Sequence, residues 1–266
     1  SPAEIPHLSA VELARRLGQL SSVDEQLLRA LARDRRASVR ALAARYQRRR
    51  AREAREAARL ARMGTLEAEL RDAGFALIAG VDEAGVAPLA GPVVAAAVIL
   101  PPEASLPGLN DSKQLRAAER EALYPQILRC ALAVAVARAE VEEIDRLNIL
   151  QATRLAHRRA LLGLAVRPHL ALIDGTQPAD VPLPQLTVID GDALCRSVAA
   201  ASIVAKVTRD RLMGALAQAY PGYGFEVHKG YATAAHRRAI ERLGITPAHR
   251  RSFLPLRGQQ QSLAIG

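Results

Sequence analysis

Two adjacent carboxylates, Asp82 and Glu83, close the apolar run Ile78-Ala79-Gly80-Val81. A Gly/Pro-rich turn follows, from Gly85-Val86-Ala87-Pro88 to Gly91-Pro92, and then a second apolar run from Val93 to Leu100. Two charges at the end of a buried strand are costly to desolvate unless a cation stands beside them. A hard divalent metal ion, which prefers oxygen ligands, is such a cation. The bland alternative is a strand-end Asp accepting backbone hydrogen bonds in a turn. Two more short apolar runs end in the same way. Leu170-Ala171-Leu172-Ile173 runs into Asp174-Gly175, and Leu186-Thr187-Val188-Ile189 runs into Asp190-Gly191-Asp192. If these ends meet at one sheet edge, four carboxylates would hold two metal ions about 3.5–4 Å apart, an arrangement suited to in-line attack at phosphorus.

The elements that must position these groups alternate in the α/β manner. Strands are expected at 76–82, 92–100, 131–138, 170–174 and 185–190. Helices are expected at 116–128, 142–164, 196–219 and 233–243, with a shorter one after Thr246-Pro247. The first two strands are close enough for an antiparallel pair, whereas helices separate the later ones.

The first 75 residues differ in kind and read as helices throughout. Ser22-Val23-Asp24-Glu25 has the form of a capping box, and Leu27, Leu28 and Leu31 form an apolar stripe behind it. From Ser38 to Arg62 there are nine arginines against two glutamates. Gly64 suits the end of that helix, and Thr65 suits the cap of a shorter one ending near Gly74. Such a charge suits contact with phosphates, and equally a solvated helix packed on the main domain. The domain division read from composition is 1–74, a helical arginine-rich extension, and 75–266, an α/β domain with a C-terminal helical segment.

Composition agrees with a nucleic-acid partner. The 266 residues are 50% apolar, enough for a substantial core, and carry a formal charge of +10. The two cysteines, Cys130 and Cys195, stand far apart, which excludes a zinc knuckle or disulfide framework and suits a reducing compartment. The apolar runs are too short for a membrane span and no secretory signal opens the chain, so a cytoplasmic protein is expected. The GxxxxG spacing of Gly80 and Gly85 is followed by Val86-Ala87 rather than Lys-Ser/Thr, which excludes a phosphate-binding P-loop. His228, beside Lys229, reads as a hydrogen-bonding loop residue before a catalytic one. Ser202 has no histidine pattern that would make it an acyl-transfer nucleophile. Tyr220 and Tyr223, around Pro221-Gly222, read as loop packing.

The segment around Asp82-Glu83 resembles the signature of type 2 ribonucleases H, the bacterial ribonuclease HII family. Further segments similar to that family follow in order: Leu109-Asn110-Asp111-Ser112-Lys113, Ile144-Asp145-Arg146-Leu147-Asn148-Ile149-Leu150 and Leu172-Ile173-Asp174-Gly175. Then come Ala200 to Asp210, Tyr223-Gly224-Phe225, His228-Lys229-Gly230-Tyr231 and His249-Arg250-Arg251-Ser252-Phe253. The resemblance spans about residues 75 to 256. It implies a ribonuclease H-like α/β fold, with a five-stranded mixed sheet flanked by helices, and a metal-dependent endoribonuclease acting on RNA–DNA hybrids and on ribonucleotides embedded in duplex DNA. Implied products are 5′-phosphate and 3′-hydroxyl ends, and implied roles are ribonucleotide removal and primer removal. Asp82, Glu83, Asp174 and Asp192 match the family's carboxylates for two Mg²⁺ or Mn²⁺ ions, with Asp190 as runner-up for the fourth. Lys113 and Lys206 match segments beside substrate phosphates, and Tyr231 the tyrosine that stacks on the sugar at an RNA–DNA junction. The acting species is expected to be a monomer, and the extension an accessory module.

One departure falls at the specificity element. Where the family usually reads Gly-Arg-Gly, this chain has Gly85-Val86-Ala87. In the family that tripeptide reads the ribose 2′-hydroxyl largely through its backbone, the group that separates RNA from DNA. Val86 removes a charge, and Ala87 adds a Cβ where glycine permits close approach or a positive φ. The competing expectation is therefore a hybrid-binding protein with weakened or lost cleavage.

Overall fold

The computed structural model describes residues 8–19 and 24–254. By contact the chain divides into two compact units, one up to Arg59 and one from Leu60 onward.

The first unit contains α1 (Ala10–Gln19), α2 (Glu25–Ala32) and most of α3 (Ala37–Met63). Leu13, Leu17, Leu28, Leu31, Val39, Ala43 and Tyr46 bury one face of each helix in a small core. Asp24 is the cap of α2, its side chain accepting from the Gln26 amide; the proposed partner Ser22 lies outside the described residues. Gly64 ends α3 as expected, but it is also the N-cap of α4 (Thr65–Asp72). Thr65 sits one position inside, with its hydroxyl turned back to the Ala61 carbonyl.

The second unit is built on a mixed sheet of five strands, β1 (Ile78–Ala84), β2 (Val93–Ile99), β3 (Ala133–Ala139), β4 (Leu170–Asp174) and β5 (Gln185–Val188). Their spatial order is β3-β2-β1-β4-β5. The pairs β1–β2 and β2–β3 are antiparallel, while β1–β4 and β4–β5 are parallel. Every residue of β2 is buried, as its unbroken Val/Ala/Ile run implies for a strand covered on both faces.

Alternation along the strands assigns each face its helix. Ala96 and Val98 join α9 (Arg196–Ala219) and α5 (Ala117–Cys130) in one cluster; Ala79, Val81, Ala95, Ala97 and Ile99 join α7 (Ile149–Leu162) in the other. Both helices meet the sheet through alanines, Ala199 to Ala201 on α9 and Ala152, Ala156 and Ala160 on α7. Closest approach comes at Gly80, where a Cβ would lie 2.1 Å from the Ser197 backbone. The start of α9 is capped from outside: both oxygens of the buried Glu67 on α4 accept from its first amides, Arg196 at 3.1 Å and Ser197 at 2.8 Å.

Two expected helices are altered. The one expected at 142–164 is broken at Asn148, whose φ of 70° ends α6 (Val141–Leu147) and whose side chain caps α7 by accepting from Gln151. After Thr246-Pro247 the described residues hold only a 3-10 turn, Arg251–Phe253, whose Arg251 and Ser252 amides donate to Asp145 of α6 at 3.0 and 2.9 Å. Any helical segment beyond residue 254 lies outside the described residues. Two short helices were not foreseen, α8 (Gly191–Leu194) and α10 (Phe225–His228); α11 (Ala234–Leu243) was.

Candidate active site

The register of β1 against β4 pairs Gly80 with Leu172 and Val81 with Ile173. One step further along that register stands Asp82 beside Asp174. Side chains two apart share a face, so both aspartates project toward the side that Gly80 and Leu172 present to α9. Asp192 comes from the turn after β5. Asp190 takes a left-handed conformation there (φ 55°), which turns the chain into α8 and places Asp192 inward. The Gly191 amide closes the turn onto Asp174, donating to Oδ1 at 2.8 Å. Each of Asp82, Asp174 and Asp192 brings a carboxylate oxygen within 4.8 Å of the others. Asp190 is exposed and outside this cluster.

Glu83 stands apart from the other three. Adjacent strand residues point to opposite faces, so Glu83 turns toward α7. There its Oε2 lies 2.8 Å from Nε2 of His157, a buried histidine that sequence reasoning had passed over. The only sequence signal was a polar residue on an alanine-lined helix face.

Electrostatics in the cluster are unfavourable to charge. Burial, then the neighbouring Glu83 and Asp174 charges, push the Asp82 carboxyl well above the usual carboxylate range. Asp174 is raised by burial and by Glu83, against the hydrogen bond from Gly191. Asp192 is raised to about 6, chiefly by burial and by Asp111. Three crowded, poorly hydrated oxygen donors are a fit for a hard divalent cation, whose charge would remove the repulsion. Lys113 supplies part of that relief from the rim, its Nζ 3.4 Å from Asp192. The loop carrying Lys113 is tied to α9 by the buried hydroxyls of Ser112 and Ser202, 2.8 Å apart, and Ser202 stands beside Asp82.

The remaining sequence candidates lie in other settings. Lys206 donates to Asp210 at 2.7 Å, four residues along α9. Tyr231 is exposed on a loop fixed from beneath. Its carbonyl is 2.9 Å from Nδ1 of buried His236, whose Nε2 is 3.1 Å from Nε2 of His249. Burial lowers both histidines, His249 to about 4. His228 belongs to the same packing: its ring stacks on His236, and its Nε2 lies 2.7 Å from the Tyr223 carbonyl.

The turn from Gly85 to Pro92 is gripped by two fully buried arginines that sequence reasoning had not singled out. Arg250 donates to the carbonyls of Gly85, Val86 and Gly91, and Arg209 to those of Ala90, Pro92 and Lys229. Gly85 needs its glycine, with φ 99° and Arg209 where a Cβ would go. Ala87 does not have a positive φ, and Val86 and Ala87 are exposed, so the departure from the family strains nothing.

This sheet, with helices on both faces and acidic strand ends side by side, defines a metal-dependent nuclease of the ribonuclease H class. The family profile described as Ribonuclease HII matches residues 79–255, and that of the Ribonuclease HII N-terminal domain matches 10–71. The chain belongs to the ribonuclease HII family. It is 51% identical over 235 residues to ribonuclease HII of Desulfitobacterium hafniense (strain Y51), covering 88% of this chain and 90% of that protein. To ribonuclease HII of Myxococcus xanthus (strain DK1622) it is 51% identical over 245 residues, covering 92% and 84%. Among solved structures it is similar to ribonuclease H2 of Pyrococcus horikoshii OT3, with a TM-score of 0.57 and 27% identity over 66% of this chain and 93% of that one. The family consists of metal-dependent endoribonucleases that cleave the RNA strand of RNA–DNA hybrids. Among the described residues no helix is long and apolar enough to cross a membrane.

Proposed function

We propose that this protein hydrolyses RNA within RNA–DNA hybrids and cuts at ribonucleotides embedded in duplex DNA, leaving 5′-phosphate and 3′-hydroxyl ends. The observation that carries the reading is the convergence of Asp82, Asp174 and Asp192, with Glu83 adjoining on β1. These four would hold two divalent ions, Mg²⁺ or Mn²⁺. Bound there, the ions supply Lewis acidity, for activating water and for stabilising the leaving oxygen.

The protein's own residues do the rest. Lys113, exposed at the rim, would meet a substrate phosphate and so leave Asp192 free for a cation. Lys206 would serve a neighbouring phosphate while Asp210 holds its ammonium in place. Backbone groups of Gly85-Val86-Ala87, rigid under Arg250, would read the ribose, and Tyr231 would stack on the sugar beside it. All these groups come from one chain, so a monomer suffices. Ribonucleotide and primer removal, in the cytoplasm, are the roles that fit such a substrate. In this reading residues 1–74 form an accessory extension and 75–266 the catalytic domain.

Cleavage of a duplex with one embedded ribonucleotide, with and without Mg²⁺, tests the proposal. Asp82→Asn or Asp174→Asn should abolish cutting while leaving a cooperative melt, because an amide is a poor ligand for a hard cation. Near-normal cutting by either variant would overturn the metal-site assignment. Hybrid binding by the wild-type protein without cutting would favour the second reading, a binding protein, which the uncharged and exposed Val86 suggests.

A further inference from the structure

One buried histidine bears on the metal site proposed above, and the inference drawn from it rests on that reading. His157 is buried, its Nε2 is 2.8 Å from Glu83 Oε2, and its buried Nδ1 has no hydrogen-bond partner among the described residues. A carboxylate can only accept, so Nε2 carries the hydrogen. The geometry points to His157 as a positioning residue: it anchors one oxygen of Glu83 and leaves Oε1 for a metal ion. Removing such a partner typically weakens metal binding about 10- to 100-fold.

Calorimetric titration of the substrate-free protein with Mn²⁺ measures this directly. His157→Leu should weaken binding by that factor; His157→Gln, which keeps an N–H donor, should recover part of it. In a Glu83→Gln background His157→Leu should add no further loss. Wild-type affinity in His157→Leu overturns the inference. Failure of the wild-type protein to take up Mn²⁺ at all would count against the metal-site reading instead.

Discussion

Arg250 donates to the Val86 carbonyl at 2.8 Å, so the segment that departs from the family pattern is held by its backbone from beneath. The same guanidinium serves Gly85 and Gly91, and among the described residues no carboxylate forms an ion pair with it. Burial and the nearby Arg209 charge lower it to about 9, which still leaves it charged at neutral pH. The turn after the carboxylate pair is therefore shaped by a residue more than 160 positions away in sequence.

Arg250→Met should orphan several buried carbonyls at once. A destabilisation of about 3 kcal/mol or more is expected, at 1–3 kcal/mol per unsatisfied group. Arg250→Lys keeps the charge but cannot reach the acceptors as a fork, and should fall between. Chemical denaturation measures both, and a loss below about 1 kcal/mol in Arg250→Met would show that the grip is dispensable.

Restoring the family tripeptide is the next expectation. Val86 and Ala87 are exposed and lie in ordinary backbone conformations, so Val86→Arg/Ala87→Gly should fold normally. At a single ribonucleotide one 2′-hydroxyl supplies all the recognition, and a charge-assisted hydrogen bond is worth about 1.5–3 kcal/mol. Cleavage there should rise roughly ten- to a hundredfold, more than on a continuous hybrid. Equal gains on the two substrates would mean the tripeptide is neutral.

The raised carboxyls predict a pH-dependent stability in metal-free buffer. Asp82 and Asp174 are raised in the folded state, and Asp192 to about 6, so the fold holds more protons than the unfolded chain above about pH 4. Their contribution is full below the unfolded value and is lost as pH rises through the folded ones. Asp82→Asn, which removes one repelling charge, should thus stabilise at pH 8 and have little effect at pH 4. Surface carboxyls held low by arginines, such as Glu143, shift with the opposite sign but cancel in the wild-type-minus-variant difference. A difference that does not change between the two pH values would refute the account.

Gly80→Ala tests the contact that seats α9. The new Cβ would lie 2.1–2.2 Å from the Ser197 and Val198 backbones, which cannot yield without moving the helix start. Because α9 carries Ser202 beside Asp82, a loss of about 3 kcal/mol in stability should come with a loss of cleavage. Gly214, which has open space at its Cβ position, should accept alanine without harm.

Local pattern in the sequence determined the strands, the long α9, the helical character of the first 75 residues and the acidic strand ends, because period, charge and turn chemistry are local. The preference for Asp192 over Asp190 came from the family's spacing; the left-handed turn at Asp190 gives the spacing its physical meaning. Tertiary structure alone decided the rest. Strand alternation sends Asp82 toward α9 and Glu83 toward α7, so which partners they meet depends on which helix covers each face. His157 was invisible because a lone histidine on a helix has no function until a carboxylate from a strand 74 residues away arrives against it. Arg209 and Arg250 were invisible for a related reason. Their acceptors are backbone carbonyls, which every residue has, and only folding gathers those of Gly85 to Pro92 around two buried guanidiniums.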